Sequence, residues 1–314
     1  MEKTFAEEVE EGLSAKSKFL SSKYHYDDQG SRIFQEIMAM PEYYLTDCEM
    51  DIMKNRSVEI YQATGFKSHF KIIELGAGDG AKTKEMLRNL LKVGADFTYV
   101  PVDISQEAID LLVESMSRSL PDLTMNPQVG DYFEVMDKVE AEEECPNLVL
   151  FLGSNIGNFK PKWAVDLLKH IHEHMRSGDR LLVGFDLKKN PNLIRNAYFD
   201  PNGITARFNL NVLSRINREL DGDFKLETFD FYSYYNPENG NVKSFLYSLT
   251  DQTVRIGAIG KTFHFIKDEC IWMELSKKYS KSGIENLGRK AGFGFQEHFL
   301  DGRHYFSDSL FKKN

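Results

Sequence analysis

Gly76, Gly78 and Gly80 alternate directly after the run Ile72-Ile73-Glu74-Leu75 and just before a helical pattern that opens near Lys82. Glycines at such a place let the backbone take positive φ and let a ligand approach closely, while the helix N-terminus offers free N–H groups. Strand, glycine turn and helix together form an arrangement for cradling a nucleotide. Gly76-x-Gly78-x-x-Ala81 also fits the dinucleotide fingerprint, so the turn alone separates neither one cofactor from another nor a ligand site from an empty turn. Further along, Asp103 ends a second apolar run, Asp131 follows a third, and Gly153-Ser-Asn-Ile-Gly-Asn158 follows Leu148–Leu152. Asp103 comes about 25 residues after Gly78, where an acid bonds ribose hydroxyls. That acid serves NAD and S-adenosylmethionine equally. Tyr26, Tyr43 and Tyr44 gather near turns, and composition alone reads them as half-buried aromatics with wet hydroxyls.

Holding these groups in place requires a sheet, and the pattern from Lys71 to Asp186 supplies one. Strands at Lys71–Leu75, Phe97–Asp103, Asn126–Phe133, Leu148–Leu152 and Arg180–Asp186 alternate with amphipathic helices such as Gln106–Met116. This βα alternation predicts a parallel sheet, whose ligands bind outside the carboxyl ends of the strands. The glycine turn, Asp103, Asp131 and the Gly153–Asn158 turn all fall there. Between about Asn190 and Tyr279 the alternation stops. A helix at Thr205–Leu220 and strands at Phe224–Tyr235, Phe245–Asp251, Gln252–Ile256 and Lys261–Lys267 read as an inserted antiparallel domain. Parallel-sheet logic resumes with a helix at Gly283–Ala291 and strands at Phe293–Leu300 and Arg303–Phe311, parted by the hairpin signal Asp301-Gly302. Before Lys71, helices are expected up to about Ser22, after a Gly30-Ser31 cap, and from Asp47 to about Ala63. The acidic run Glu140–Glu144 reads as a solvated connecting loop.

Composition narrows the function classes. A net charge of -9 argues against binding a phosphate backbone, which requires a basic face. No apolar window suggests a membrane span, and the polar start lacks a signal peptide's apolar region. Cys48, Cys145 and Cys270 are isolated and fit neither a disulfide framework nor a zinc spacing, so a cytoplasmic home is expected. His170, His172 and His174 have helical spacing, but the solvent-facing end of a helix is the preferred reading and no metal is expected.

Glu74, two residues before the first glycine, and the closing hairpin both resemble features of class I S-adenosylmethionine-dependent methyltransferases. Gly130-Asp131 ahead of an aromatic is similarly placed for an adenine amine. More specific stretches follow. Tyr26-Asp-Asp-Gln-Gly-Ser31, Met40-Pro-Glu-Tyr-Tyr44, Glu74-Leu-Gly-Ala-Gly78 with Lys82-Thr83, and Leu152-Gly-Ser-Asn-Ile-Gly-Asn158 resemble the histidine-specific methyltransferase family. Ala197-Tyr198 before Gly203-Ile-Thr205, Phe208-Asn-Leu-Asn211 and Glu274-Leu-Ser276-Lys-Lys-Tyr279 continue the likeness, which covers Lys23 to Tyr279. The best-known activity in that family belongs to ergothioneine biosynthesis and converts histidine to its trimethylbetaine, hercynine.

The resemblance implies a class I, Rossmann-like α/β fold with a mostly parallel seven-stranded sheet, an antiparallel edge hairpin and a second α+β substrate domain. Residues 1–19, 60–196 and 278–314 would bind S-adenosylmethionine; residues 20–59 and 197–277 would bind the amino acid. Gly76, Gly78, Lys82, Asp103, Asp131 and Gly153 would line the methyl donor. Asn158, Tyr26 and Tyr43 would surround the α-amino group and serve catalysis, Tyr198 would meet the carboxylate, and Glu274 and Ser276 would read the imidazole. Asn155 stands where a threonine is usual, and Leu275 where an asparagine is common. These residue types suit the chemistry. Amide and phenol oxygens orient an amine lone pair without trapping its proton, and a carboxylate with a hydroxyl reads both imidazole nitrogens. Partners would be small molecules, with neither nucleic acid nor membrane; the oligomeric state stays open and is compatible with a monomer. Methylation of another amino acid or amine, an NAD(P)-dependent oxidoreductase, and a non-catalytic ligand-binding protein remain the alternatives.

Overall fold

The computed structural model describes residues 3–142 and 145–314 and divides into two compact units. The first comprises Met1–Tyr44 with Lys189–Ser276, the second Leu45–Lys188 with Lys277–Asn314. In chain order the elements begin with helices α1 (Phe5–Ser14), α2 (Asp28–Met38), α3 (Tyr44–Asn55) and α4 (Ser57–Thr64). Next come β1 (Phe70–Leu75), α5 (Ala81–Lys92), β2 (Phe97–Asp103), α6 (Gln106–Ser119), β3 (Gln128–Val129) and α7 (Tyr132–Glu142). β4 (Asn147–Phe151), α8 (Pro161–Glu173), β5 (Arg180–Asp186), α9 (Pro191–Tyr198) and α10 (Ile204–Leu220) follow. Strands β6 (Phe229–Asn236), β7 (Asn241–Ser248), β8 (Gln252–Ile256), β9 (Lys261–Phe265) and β10 (Cys270–Lys277) lead to α11 (Lys281–Lys290), β11 (Gly294–Leu300) and β12 (Phe306–Lys312).

The second unit is built on a seven-stranded sheet of order β11-β12-β5-β4-β1-β2-β3. β1 through β5 are mutually parallel, and β12 runs antiparallel to β5. Every residue of β1 and β4 is buried, as a strand covered on both faces requires. Helices cover the sheet through apolar stripes such as Met86, Leu87 and Leu90 of α5 and Ala164, Leu168 and Ile171 of α8. The strand order reverses beside β1, whose neighbours are β2 and β4, and this opens a crevice at their carboxyl ends. The closing hairpin lies at the sheet's edge as expected, but its antiparallel strand β12 is internal and β11 forms the rim. Its connection is also longer than the two residues Asp301-Gly302. The Asp301 carboxylate accepts from the N–H groups of Arg303, Tyr305 and Phe306, so it organises a wider loop.

The first unit packs α10 against the three-stranded sheet β10-β7-β6 and the hairpin β8–β9. Val212, Leu213 and Ile216 of α10 share a core with Phe229, Leu246, Val254, Phe265 and Met273. Val9 and Leu13 of α1 join that same core, so residues 1–19 belong here and not with the parallel sheet. Residues 45–59 move the other way, because α3 buries Ile52 and Met53 and the Asn89 side-chain amide of α5 donates to the Lys54 carbonyl at 2.9 Å. Residues 189–196 fall in the first unit, where α9 packs on β6.

Local capping accounts for the other shifts. Helix α2 starts at Asp28, ahead of Gly30-Ser31, because the Asp27 carboxylate accepts the Gly30 N–H at 2.7 Å. The stretch from Asp47 to Ala63 is two helices, broken at Arg56. Residues 132–142 form a helix where a strand end and a loop were expected; Asp131 starts it by accepting the Phe133 N–H. Glu143 and Glu144 of the acidic run lie outside the described residues. β6 and β7 occupy only part of the expected Phe224–Tyr235 and are shifted from Phe245–Asp251, respectively. Among the described residues no helix is long and apolar enough to cross a membrane.

Candidate active site

In the parallel-sheet unit, the turn after β1 holds Gly76, Gly78 and Gly80 at φ 71°, 53° and 61°. Side-chain-bearing residues rarely adopt such angles. At Gly76 the constraint is also steric, because a Cβ there would lie 2.8 Å from the Tyr132 hydroxyl. A Cβ on Gly78 would meet nothing within 4 Å, so the turn faces open space at that point. Asp103 at the end of β2 accepts the Gly78 N–H on Oδ2 (3.3 Å) and the Ser105 N–H on Oδ1 (3.1 Å). The Gly130 N–H donates to the Asp103 carbonyl at 3.0 Å, which brings Asp131 to the same end of the sheet. Tyr132 reports on this closeness. Burial first, then the Asp103 and Asp131 carboxylates, raise its hydroxyl pKa.

The sequence groups Gly76, Gly78, Asp103 and Asp131 by position, and the fold brings them together. Positive-φ glycines, a carboxylate at the end of β2 and a second at the end of β3 fit an adenosine-bearing donor: space for the chain of the ligand, acceptors for a ribose diol and an adenine amine. Glu74 lies behind the turn. It is buried, accepts from Thr83 Oγ1 (2.6 Å) and Tyr99 Oη (2.5 Å), and is pushed up to about 7 chiefly by burial.

Lys82 and Gly153 also reach this end of the sheet, through a residue that sequence reasoning missed. Glu49 of α3, 1% exposed, accepts the Gly153 N–H on Oε1 at 2.7 Å and binds the Lys82 ammonium with Oε2. Burial disfavours the Lys82 charge, but Glu49, with Glu74 and Asp308 behind it, raises its pKa. Glu49 sits in a stretch with no glycine or motif to mark it, and its helical neighbours are ordinary; only packing exposes its role. Gly153 itself has φ 76° and opens the turn that ends at Asn158. Within that turn the Asn155 amide donates to the Leu152 carbonyl at 3.0 Å, so the residue at the unusual position serves to close it.

In the first unit the remaining residues converge. β10 places Glu274 and Ser276 two apart, on the strand face opposite the core residues Ile271 and Met273. The Tyr198 hydroxyl from the end of α9 hydrogen-bonds Ser276 Oγ at 2.9 Å, a partner that the sequence did not disclose. Tyr43 packs edge-on against Tyr198 (6.2 Å between centroids) and against Phe34, and Phe34 in turn packs on Tyr26 at 5.4 Å. Tyr26 retains 46% exposure, yet burial, then the charge of Glu274 and Tyr198, raise its phenol above the ordinary range. An aromatic wall therefore carries hydroxyls, one carboxylate and one serine. Tyr44, by contrast, is buried and receives the Lys189 ammonium on its hydroxyl at 2.9 Å, which fits a structural role. His170 and His174 contact the Phe133 ring and pair with Glu173 and Asp137.

Residues 5–313 match the family described as histidine-specific methyltransferase, SAM-dependent. The chain is 34% identical over 277 residues to the histidine N-alpha-methyltransferase of Mycobacterium tuberculosis, covering 88% of this chain and 85% of that protein. The protein of the same name from Mycolicibacterium smegmatis is 32% identical over 277 residues, with the same 88% and 85% coverage. Ergothioneine biosynthesis protein 1 of Schizosaccharomyces pombe is 28% identical over 294 residues, covering 91% of this chain and 38% of that longer protein.

Proposed function

Because the chain belongs to the histidine-specific, S-adenosylmethionine-dependent methyltransferase family, we propose that it methylates the α-amino nitrogen of histidine, stepwise to the trimethylated betaine. Membership in this family also removes the nicotinamide-oxidoreductase alternative that the glycine turn had left open. The observation that carries the substrate reading is the Tyr198–Ser276 hydrogen bond beside Glu274 on one strand face, lined by Tyr26 and Tyr43. A serine hydroxyl and a carboxylate on one strand face are the donor and acceptor types that can read the two imidazole nitrogens. This pattern distinguishes imidazole from an aliphatic or purely aromatic side chain.

When bound, the donor supplies a methyl on a sulfonium that leaves by in-line displacement, so the protein's task is alignment. Gly76, Gly78, Asp103 and Asp131 hold the donor in this reading. In this reading the Asn158 amide oxygen accepts an amine hydrogen. Tyr26 remains a neutral phenol throughout the physiological range, since its pKa is raised. The ammonium must lose its proton before it attacks, and amide and phenol oxygens orient the neutral amine without holding that proton as a carboxylate would.

Incubating the protein with S-adenosylmethionine and each proteinogenic amino acid in turn, with mass spectrometry of the products, tests this reading. Histidine should gain mass in successive methylene steps. A gain on another amino acid with none on histidine would overturn the substrate assignment.

A further inference from the structure

The parallel-sheet unit holds a charged cluster, its carboxylates buried and its lysine partly exposed, where two elements meet. Glu49, Lys82 and Asp308 come from α3, α5 and β12. The two oxygens of Glu49 are committed in different directions, one to the Gly153 N–H and the other to the Lys82 ammonium. Lys82 lies in the first turn of α5, directly after the glycine turn, and Gly153 opens the turn that ends at Asn158. A Cβ on Gly153 would lie only 3.7 Å from Lys82 Nζ, so these elements meet at the carboxylate. Asp308 is fully buried, neither of its oxygens has a hydrogen-bond partner among the described residues, and burial followed by the Glu49 charge holds its pKa well above the usual carboxylate range.

We propose that Glu49 is a positioning residue for methyl transfer: one buried carboxylate holds the donor-side helix and the Asn158 turn at a set separation. This rests on the proposed function for the identity of the two elements. The clamp separates into two arms that substitution can test independently. Glutamine at 49 keeps an acceptor for the Gly153 N–H but presents Lys82 with a neutral amide. Alanine removes both arms and leaves the Gly153 N–H and the partly exposed Lys82 ammonium without their acceptor.

The experiment compares wild type, Glu49→Gln, Glu49→Ala and Lys82→Met by thermal unfolding, by titration with S-adenosylhomocysteine, and by steady-state kinetics with S-adenosylmethionine and histidine. Glu49→Gln and Lys82→Met should weaken S-adenosylhomocysteine binding about 10-fold, with kcat of Glu49→Gln within about 3-fold of wild type. Glu49→Ala should lose a further factor of about 10 or more in kcat, because Asn158 is no longer held. Equal kcat losses in the glutamine and alanine variants would refute the link to the Asn158 turn. Lowered melting temperatures with unchanged affinity and kcat would reduce Glu49 to a structural residue and refute the clamp. If wild type leaves histidine unmodified, the proposed function falls, while the S-adenosylhomocysteine titrations still decide whether the donor arm exists. Should Glu49→Ala fail to fold, Glu49→Gln and Lys82→Met carry the test of that arm, and unchanged affinity in both would overturn it.

Discussion

Replacing Glu74 with glutamine should make the protein's stability less sensitive to pH, by an amount that follows from the burial of this one carboxyl. Its pKa is pushed from 4.5 to about 7, mainly by burial, with Thr83 and Tyr99 pulling the other way through their hydrogen bonds. A carboxyl whose folded pKa is raised binds its proton more tightly in the folded state than in the unfolded state. Its contribution is therefore fully present below pH 4.5 and is lost as pH rises through about 7. The interval of two to three pH units corresponds to about 3 kcal/mol, at 1.36 kcal/mol per unit. Glutamine mimics the protonated form, with one oxygen to accept and an amide to donate, provided that one of the two flanking hydroxyls reverses its role. Urea unfolding of wild type and Glu74→Gln at pH 5, 6, 7 and 8 measures the difference directly. The stability of the variant relative to wild type should climb with pH across this range and level off above about 7. A difference that stays constant from pH 5 to 8 would show that Glu74 titrates alike in both states, and the reasoning from burial would be wrong.

Two further outcomes follow from the site. Glu274→Gln should raise the KM for histidine about 10-fold or more while leaving S-adenosylhomocysteine affinity unchanged, since Glu274 and the donor loop belong to different units; equal losses in both, by titration calorimetry, would contradict its assigned role. Gly76→Ala should weaken donor binding because its Cβ would lie 2.8 Å from the Tyr132 hydroxyl at a φ of 71°. Adding Tyr132→Phe removes the clashing oxygen and should restore part of that affinity, the remainder being backbone strain; no restoration would place the defect elsewhere.

Sequence patterning made the sheet legible because each parallel strand is a short apolar run ending in a polar or glycine turn. β1, β2, β4 and β5 fall within a residue or two of their expected bounds. It failed where side-chain contacts override the local signal. The cap of α2 comes from Asp27 and not from Ser31, and residues 132–142 are helical because Asp131, just past the third strand, starts a helix there. The domain boundary moved for a similar reason. The stripe Val9–Leu13 announces a helix with one apolar face, but an apolar face does not say which core it joins.

Residue type and spacing made the glycine turn and the strand-end acids recognisable, whereas the tyrosine-rich entry and Glu274-x-Ser276 stood out as site residues only through the resemblance to the family. Spacing works there because a turn or a strand sets its own side-chain directions locally. What only the tertiary structure decided is how those groups are oriented and held. Ser276 is tied to Tyr198, 78 residues away along the chain, and Gly153 and Lys82 meet on Glu49 at separations of 104 and 33 residues. Such contacts leave no periodicity behind. They arise when a buried N–H or charge requires a partner, and the core supplies the nearest carboxylate or hydroxyl, whatever its place in the sequence.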